Sequence, residues 1–113
     1  MKDFLFVYRA DYNAARTGTP EQMEATTQQW IDWIMGMAAE GKLADRGNRL
    51  ATTGKVVKPG NVVTNGPYTD IKEFIGGYSI VKAASYDEAL ELAKGCPGLA
   101  TGGSVEVREV DQM

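Results

Sequence analysis

The sequence predicts an α+β fold with an antiparallel sheet, and the order of segments along the 113-residue chain carries that prediction. Segments with strand and helix character follow one another as strand, helix, strand with an extra hairpin, strand, helix, strand. This order is that of the ferredoxin-like βαββαβ fold. Two helices cover only one face of such a sheet, yet the first strand is apolar on both faces. We therefore predict that a second copy of the chain covers the other face, in a symmetric homodimer.

The first strand and the first helix have the strongest patterns. Residues 3–9 alternate aromatic with aliphatic side chains, whereas residues 10–18 are polar and aperiodic, which predicts a long loop. Thr19 and Pro20 suit the N-cap and first position of a helix, and Gln22 suits a capping box. The predicted inward stripe, which ends before Gly41 and has Ile31 and Trp33 on its flanks, comprises Met23, Trp30, Ile34, Met37 and Ala38. This apolar arc is wider than one packing contact needs, so a plain core, a partner surface and a pocket wall all stay open.

The middle of the chain predicts a weak strand followed by a hairpin. Residues 42–50 have some strand character, interrupted by Gly47, and residues 55–64 form two short valine-rich runs. Pro59 and Gly60 between these runs suit the central positions of a type II turn. A second turn over residues 65–68 and a connector over residues 69–75 follow.

The last third predicts a strand, a short helix and a final strand. Residues 77–83 read as the strand, and Ser85 with Glu88 predicts a capping box at the start of the helix. The helix turns Ala89, Leu92 and Ala93 inward and ends at residues 94–95. A flexible segment over residues 98–103 leads to the last strand, residues 104–110.

Composition excludes several classes of function. The length suits one domain, residues 1–113, and a net charge of −3 without a Lys/Arg cluster argues against nucleic-acid binding. The apolar run at residues 4–8 is too short for a secretory signal or a membrane span. The absence of histidine removes His-based nucleophile pairs and most zinc or haem sites, and no motif predicts a metal or another cofactor. Cys96 is the lone cysteine of the sequence. It lies past a helix C-terminus, where the helix dipole disfavours a thiolate, so we do not expect it to be reactive. A single cysteine cannot form a disulfide within the chain, which is compatible with a cytoplasmic location.

Three stretches resemble one known family. They are residues 65–78 (NGPYTDIKEFIGGY), residues 96–97 (CP) and residues 102–108 (GGSVEVR). In this order they resemble the YCII-related, DGPF-type (YciI-like) domain family, and the resemblance covers nearly the whole chain. It implies the dimeric α/β-barrel form of the ferredoxin-like fold but no particular activity. A His-Asp pair suggested for related YciI proteins is excluded here, because the chain has no histidine.

The first group of candidate site residues follows the second turn. Asp70, Lys72 and Glu73 lie close in sequence to Tyr68 and Tyr78. One interpretation is a polar pocket wall, in which Asp70 or Glu73 is a catalytic base and the other three residues contact a ligand. The alternative is a solvated connector whose charges pair with each other or with the partner subunit.

The second group lies on the last strand. Glu106 and Arg108 are two residues apart and therefore share a face, opposite Val105 and Val107. If the helices cover the valines, both charges point at the open face, where Arg108 is suited to a carboxylate or another anion. The alternative is an ion pair across strands or between subunits. Residues of the long first loop offer a lid over this face: Arg9, Asp11, Tyr12 and Arg16.

These candidates leave three functions open. The first is a dimeric module that binds a small ligand or a protein, in a regulatory setting. The second is a cofactor-independent enzyme that uses a cleft carboxylate for proton abstraction or oxygenase-type chemistry. The third is a purely structural interaction protein. A closed apolar cavity that holds a carboxylate of raised pKa favours the enzyme, whereas carboxylates locked in ion pairs favour the other two functions.

Overall fold

The computed structural model describes residues 1–11, 18–65 and 73–111, in which strands and helices alternate in the predicted order. The strands are β1 (Lys2–Asp11), β2 (Leu43–Asp45), β3 (Lys55–Lys58), β4 (Val62–Asn65), β5 (Glu73–Ala83) and β6 (Ser104–Glu109), and the helices are α1 (Pro20–Ala39) and α2 (Tyr86–Ala93). A 3₁₀ turn, Pro97–Thr101, joins α2 to β6.

The main sheet has the strand order β2-β5-β1-β6 with antiparallel neighbours. This order and the two crossover helices confirm the predicted ferredoxin-like α+β fold. The sheet stays open and does not close into a barrel. Strands β3 and β4 form a two-stranded sheet of their own, so the predicted hairpin is an appendage and not a fifth and sixth strand of the main sheet.

Strand β1 is central because its two faces are both apolar. Phe4 and Phe6 are fully buried under the helices, and Tyr8 continues the same face. Leu5 and Val7 alternate with them and point to the opposite side of the sheet. A strand of this kind is stable only with neighbours on both edges and cover on both faces.

Helix α1 begins as predicted but packs through a narrower stripe. The Thr19 hydroxyl accepts from the Gln22 N–H at 3.2 Å, and the Gln22 side chain accepts from the Thr19 N–H at 2.9 Å. The residues that reach the sheet lie in the second half of the helix: Trp30, Trp33, Ile34 and Met37. Met23 and Ala38 are exposed, so their predicted core positions were wrong, and Trp33 belongs to the core that it was expected to flank. The reason is position along the helix, since residues 20–29 are exposed apart from the half-buried Thr26.

Helix α2 has its predicted N-cap with one difference. The Ser85 hydroxyl accepts from the Glu88 N–H at 3.3 Å, but the Glu88 carboxylate accepts from the N–H of Ala84, one residue before the cap. The same carboxylate lies 3.2 Å from the ammonium of Lys42, the residue before β2. The hydrogen bond from Lys42 and then the bond from Ala84 lower the pKa of Glu88 below its usual value.

This pairing predicts a pH-dependent contribution to stability. Because the pKa of Glu88 is lower in the folded chain, the contribution is present above the ordinary pKa of 4.5 and is lost as the pH falls through the folded value. We expect Glu88→Gln to lower the melting temperature at pH 7, with a difference from wild type that shrinks as the pH drops below 4.5. Thermal melts across this range check it. A difference that stays constant with pH would contradict the pairing with Lys42.

Several predicted boundaries move because backbone hydrogen bonds extend the sheet. β1 reaches Asp11 and β5 begins at Glu73, so both strands are longer than predicted. Beyond β2, the chain continues beside β5, where the Tyr78 N–H donates to the Asn48 carbonyl at 3.2 Å. The segment predicted as flexible is a 3₁₀ turn, in which the Leu99 N–H donates to the Cys96 carbonyl at 3.2 Å.

Candidate functional site

The face of the main sheet opposite the helices, which we call the open face, is covered by neither α1 nor α2, although Val7 on it is only 9% exposed and Leu5 and Ile80 are half-buried. The chain measures 45 × 43 × 19 Å, and its smallest dimension fits a sheet with one layer of helices, since a further layer adds about 10 Å. Strand register decides which side chains share this face. Leu5 lies between Ile80 and Arg108, and Val7 lies between Tyr78 and Glu106. The open face thus has an apolar centre with charged side chains along β6.

Glu106 is held between two arginines on this face. Arg9 Nη2 donates to Glu106 Oε1 at 3.3 Å, and Arg108 Nη1 lies 3.9 Å from Glu106 Oε2. The side chains of Arg9 and Glu106 are 30% and 40% exposed, whereas that of Arg108 is 72% exposed. Both carboxylate oxygens therefore face a guanidinium, while the Arg108 head group keeps most of its donors open to solvent.

The valines of β6 show which face of the sheet Glu106 and Arg108 occupy. Val105 and Val107 pack against the core under the helices, which places Glu106 and Arg108 on the open face as the alternation predicts. Arg9 was also assigned to the predicted lid, but it belongs to β1, two residues after Val7 and on the same face. The signal in the sequence was the alternation Leu5, Val7, Arg9, which runs to the end of the strand predicted over residues 3–9.

Tyr78 is held beside Val7 by the segment that follows β2. Its hydroxyl accepts from Asn48 Nδ2 at 3.4 Å, and its backbone N–H donates to the Asn48 carbonyl. Gly77 permits this approach, because a Cβ there would lie 2.8 Å from the Asn48 carbonyl oxygen. No pattern in the sequence marked Asn48, since a single polar residue between strands carries no periodic signal.

The structure brings three of the predicted site residues to one face. These are Tyr78, Glu106 and Arg108, and Arg9 joins them. Glu73 opens β5 opposite Asp11, and nothing is described of either side chain. The remaining candidates lie outside the described residues: Tyr68, Asp70, Lys72 and, in the predicted lid, Tyr12 and Arg16.

Two titratable groups under the helices are unsuited to chemistry at neutral pH. Burial raises the pKa of the Cys96 thiol to about 11, so the thiolate is scarce. Burial also raises the pKa of the Tyr8 hydroxyl above its usual value. Cys96 is thus unactivated as predicted, but burial rather than the helix dipole is the main cause.

Two surface grooves lie on the helix side and contain none of the candidate residues. One, of about 310 Å³, runs between α1 and α2 over Trp33 and Leu92; the other, of about 220 Å³, lies between α2 and β6 beside Leu90 and Leu99. Across residues 1–11, 18–65 and 73–111, no three Cys, Asp or Glu side chains gather as metal ligands would. Neither α1 nor α2 is long and apolar enough for a transmembrane helix.

Comparisons with known proteins address the family and the fold. A family model described as YCII-related domain matches residues 3–113, which confirms the resemblance seen in the sequence motifs. A search of curated proteins finds no significant match. Among solved structures, the 5-chloro-2-hydroxyhydroquinone dehydrochlorinase of Burkholderia phenoliruptrix AC1100, in complex with 2,5-dihydroxybenzoquinone, is similar with a TM-score of 0.50 and 20% sequence identity. The alignment covers 98% of this chain and 95% of that chain, and it supports the fold.

Proposed function

We propose that this chain, which belongs to the YCII-related domain family, forms a homodimer through the open face of its sheet and binds a small anionic ligand there. The observation that carries the proposal is an apolar sheet face, opposite the layer of helices, that ends in the Arg9–Glu106–Arg108 cluster. Tyr78, Glu106 and Arg108 are the proposed ligand contacts.

Pairing of two sheets follows from the cost of leaving this face in water. Leu5 and Ile80 lie half-buried at its centre beside the buried Val7. Pairing removes the remaining exposed area of the two half-buried side chains, which is worth a fraction of the roughly 1.5–3 kcal/mol for fully burying such a side chain. A second copy presents the same residues, so a two-fold axis matches apolar centre to apolar centre. The flat shape of the single chain supports this arrangement.

An anion is the ligand that the charges favour. Two arginines and one glutamate leave a surplus of one positive charge in the cluster. The 3.9 Å contact between Arg108 and Glu106 is longer than a hydrogen bond, so Arg108 has donors to spare. Once a second sheet excludes water, a guanidinium needs an acceptor, and a carboxylate or phenolate oxygen supplies one in bidentate geometry. Tyr78 adds a ring and a hydroxyl beside it.

A cofactor-independent enzyme is the second candidate, and one observation favours it. The structural neighbour is a dehydrochlorinase whose solved structure contains a hydroxyquinone. In this chain Glu106 is engaged by two arginines, which disfavours it as a base for proton abstraction or oxygenase-type chemistry. An enzyme would therefore depend on Asp70 or Glu73 as its carboxylate. Because Glu106 is already paired with arginines, we rank ligand binding above catalysis. We also rank it above a purely structural role, because that role would leave the spare hydrogen-bond donors of Arg108 unused.

Calorimetric titration with 2,5-dihydroxybenzoquinone as the probe tests the site. Hydrogen bonds to charged groups contribute about 1.5–3 kcal/mol, so we expect Arg108→Ala to weaken binding roughly 10- to 100-fold. Lys94→Ala is the matched control, because Lys94, the C-cap residue of α2, is a similarly exposed cation at 70% exposure. Equal affinity in wild type and Arg108→Ala would reject the site. Light scattering at micromolar concentration tests the dimer separately, and a wild-type monomer would reject the pairing.

A further inference from the structure

A second surface of the chain is built from two parts of opposite charge. The hairpin, residues 55–65, contains Lys55 and Lys58 and no carboxylate. Helix α1 contains Glu21, Glu24 and Asp32 and no lysine or arginine. In a chain with a net charge of −3, this separation of charge gives two segments that attract each other.

The hairpin exposes one apolar face to solvent. Val57 and Val63 are directly paired across the two strands and are 69% and 56% exposed. Lys55 lies on the same face, two residues before Val57. On the opposite face, Val56 and Thr64 are half-buried, whereas Val62 is exposed. A two-stranded hairpin is marginally stable in water by itself, so this ribbon gains from a surface that covers its valines.

Helix α1 exposes a matching apolar strip outside its core stripe. Ile31 and Met35 are one turn apart and are 49% and 60% exposed. Asp32 lies beside them, and its carboxylate accepts from Gln28 Nε2 at 2.9 Å. The strip therefore has an apolar centre with a carboxylate on its edge, which complements the valines and lysine of the hairpin.

We propose that the hairpin of one copy docks on α1 of a second copy of this chain. Val57 and Val63 pack on Ile31 and Met35, and Lys55 faces Asp32. The spacings agree, since the side chains of Val57 and Val63 are roughly 5 Å apart across the paired strands and Ile31 and Met35 are about 6 Å apart along the helix. Both surfaces are exposed in the same chain, so the contact joins two molecules.

The contact is separate from the sheet pairing. It uses residues of the hairpin and of the outer side of α1, whereas the pairing uses the face of the main sheet opposite the helices. When two copies exchange hairpins, each provides one arm and one acceptor, and the assembly closes around a two-fold axis. The ion pairs at its edge are exposed and weaken as salt is added.

Disulfide trapping in the 113-residue chain tests the inference directly. One preparation carries Val57→Cys, a second carries Ile31→Cys, and the two are mixed and oxidised at low salt. We expect a mixed disulfide-linked dimer in several-fold higher yield than from a control pair of Val62→Cys and Ile31→Cys. Val62 is similarly exposed, at 53%, but lies on the other face of the hairpin. Cys96 is buried and gives little background.

Each other outcome overturns the inference. Equal yields from the Val57→Cys and Val62→Cys mixtures would show random collision. Efficient linkage of Val57→Cys to itself would show contact between two hairpins instead of hairpin and helix. The result does not depend on the sheet pairing, because none of the three cysteine positions is on the open sheet face. If the contact between hairpin and helix fails this test, the proposed pairing of the two sheets can therefore still be tested by itself.

Discussion

Replacing Gly47 with alanine is expected to lower the free energy of unfolding by about 3–5 kcal/mol, among the largest effects of a single substitution. Gly47 has a φ of +69°, and a Cβ there would lie 1.7 Å from the carbonyl oxygen of Tyr78. The obstacle is backbone in the middle of the main sheet and does not rotate away. Either β5 shifts or the segment after β2 detaches, and both outcomes break the hydrogen bond between Tyr78 and Asn48.

Gly41 provides the control for this substitution. Its φ of +71° is nearly the same, but a Cβ there would meet no atom within 4 Å. Gly41→Ala should therefore cost only the left-handed backbone strain, about 1–2 kcal/mol. Urea denaturation of both variants measures the difference. Equal losses of stability would mean that the Tyr78 carbonyl is not the obstacle. Because Gly47 holds the segment that positions Tyr78, the variant should also weaken binding of the quinone probe.

Replacing Phe6 with alanine is expected to cost about 3–5 kcal/mol, a large share of the 5–15 kcal/mol that stabilises a domain of this size. Phe6 is fully buried and its ring stacks on Trp33 with centroids 6.3 Å apart. The residues opposite Phe6, Ser79 and Val107, belong to hydrogen-bonded neighbouring strands, so the walls of the cavity cannot collapse easily.

The comparison for Phe6 is an apolar residue at the surface. Leu90 on α2 is 43% exposed, and Leu90→Ala should change stability much less, within about 1 kcal/mol. Thermal unfolding followed by near-ultraviolet circular dichroism reports both stability and the environment of Trp33. If Phe6→Ala were as stable as Leu90→Ala, the aromatic cluster would not be the centre of the core.

Local signals in the sequence correctly predicted where the two helices begin. Thr19, Pro20 and Gln22 begin α1, and Ser85 begins α2, because a cap depends on hydrogen bonds among residues three apart. Alternation in β6 likewise placed Glu106 and Arg108 on one face. These features need only neighbours in sequence, so a single chain without any comparison suffices to predict them.

Features that depend on distant contacts were predicted less well. Met23 has the same helical spacing as the core residues of α1, but the first half of the helix extends past the sheet. The connection between Arg9 and Glu106 joins residues 97 positions apart and follows from strand order, which no local pattern contains. The sequence predicted that β3 and β4 pair as a hairpin, but it did not reveal that this hairpin forms a sheet separate from the main one.

By itself the sequence determined the α+β class, the order of its elements and the two apolar faces of β1, because periodicity and capping act over a few residues. The tertiary structure alone decided that Glu106 lies between Arg9 and Arg108 and that Asn48 holds Tyr78. The physical reason is that strand register joins segments far apart in the chain. A charged side chain for which the local sequence indicates no partner therefore acquires one only when the sheet assembles.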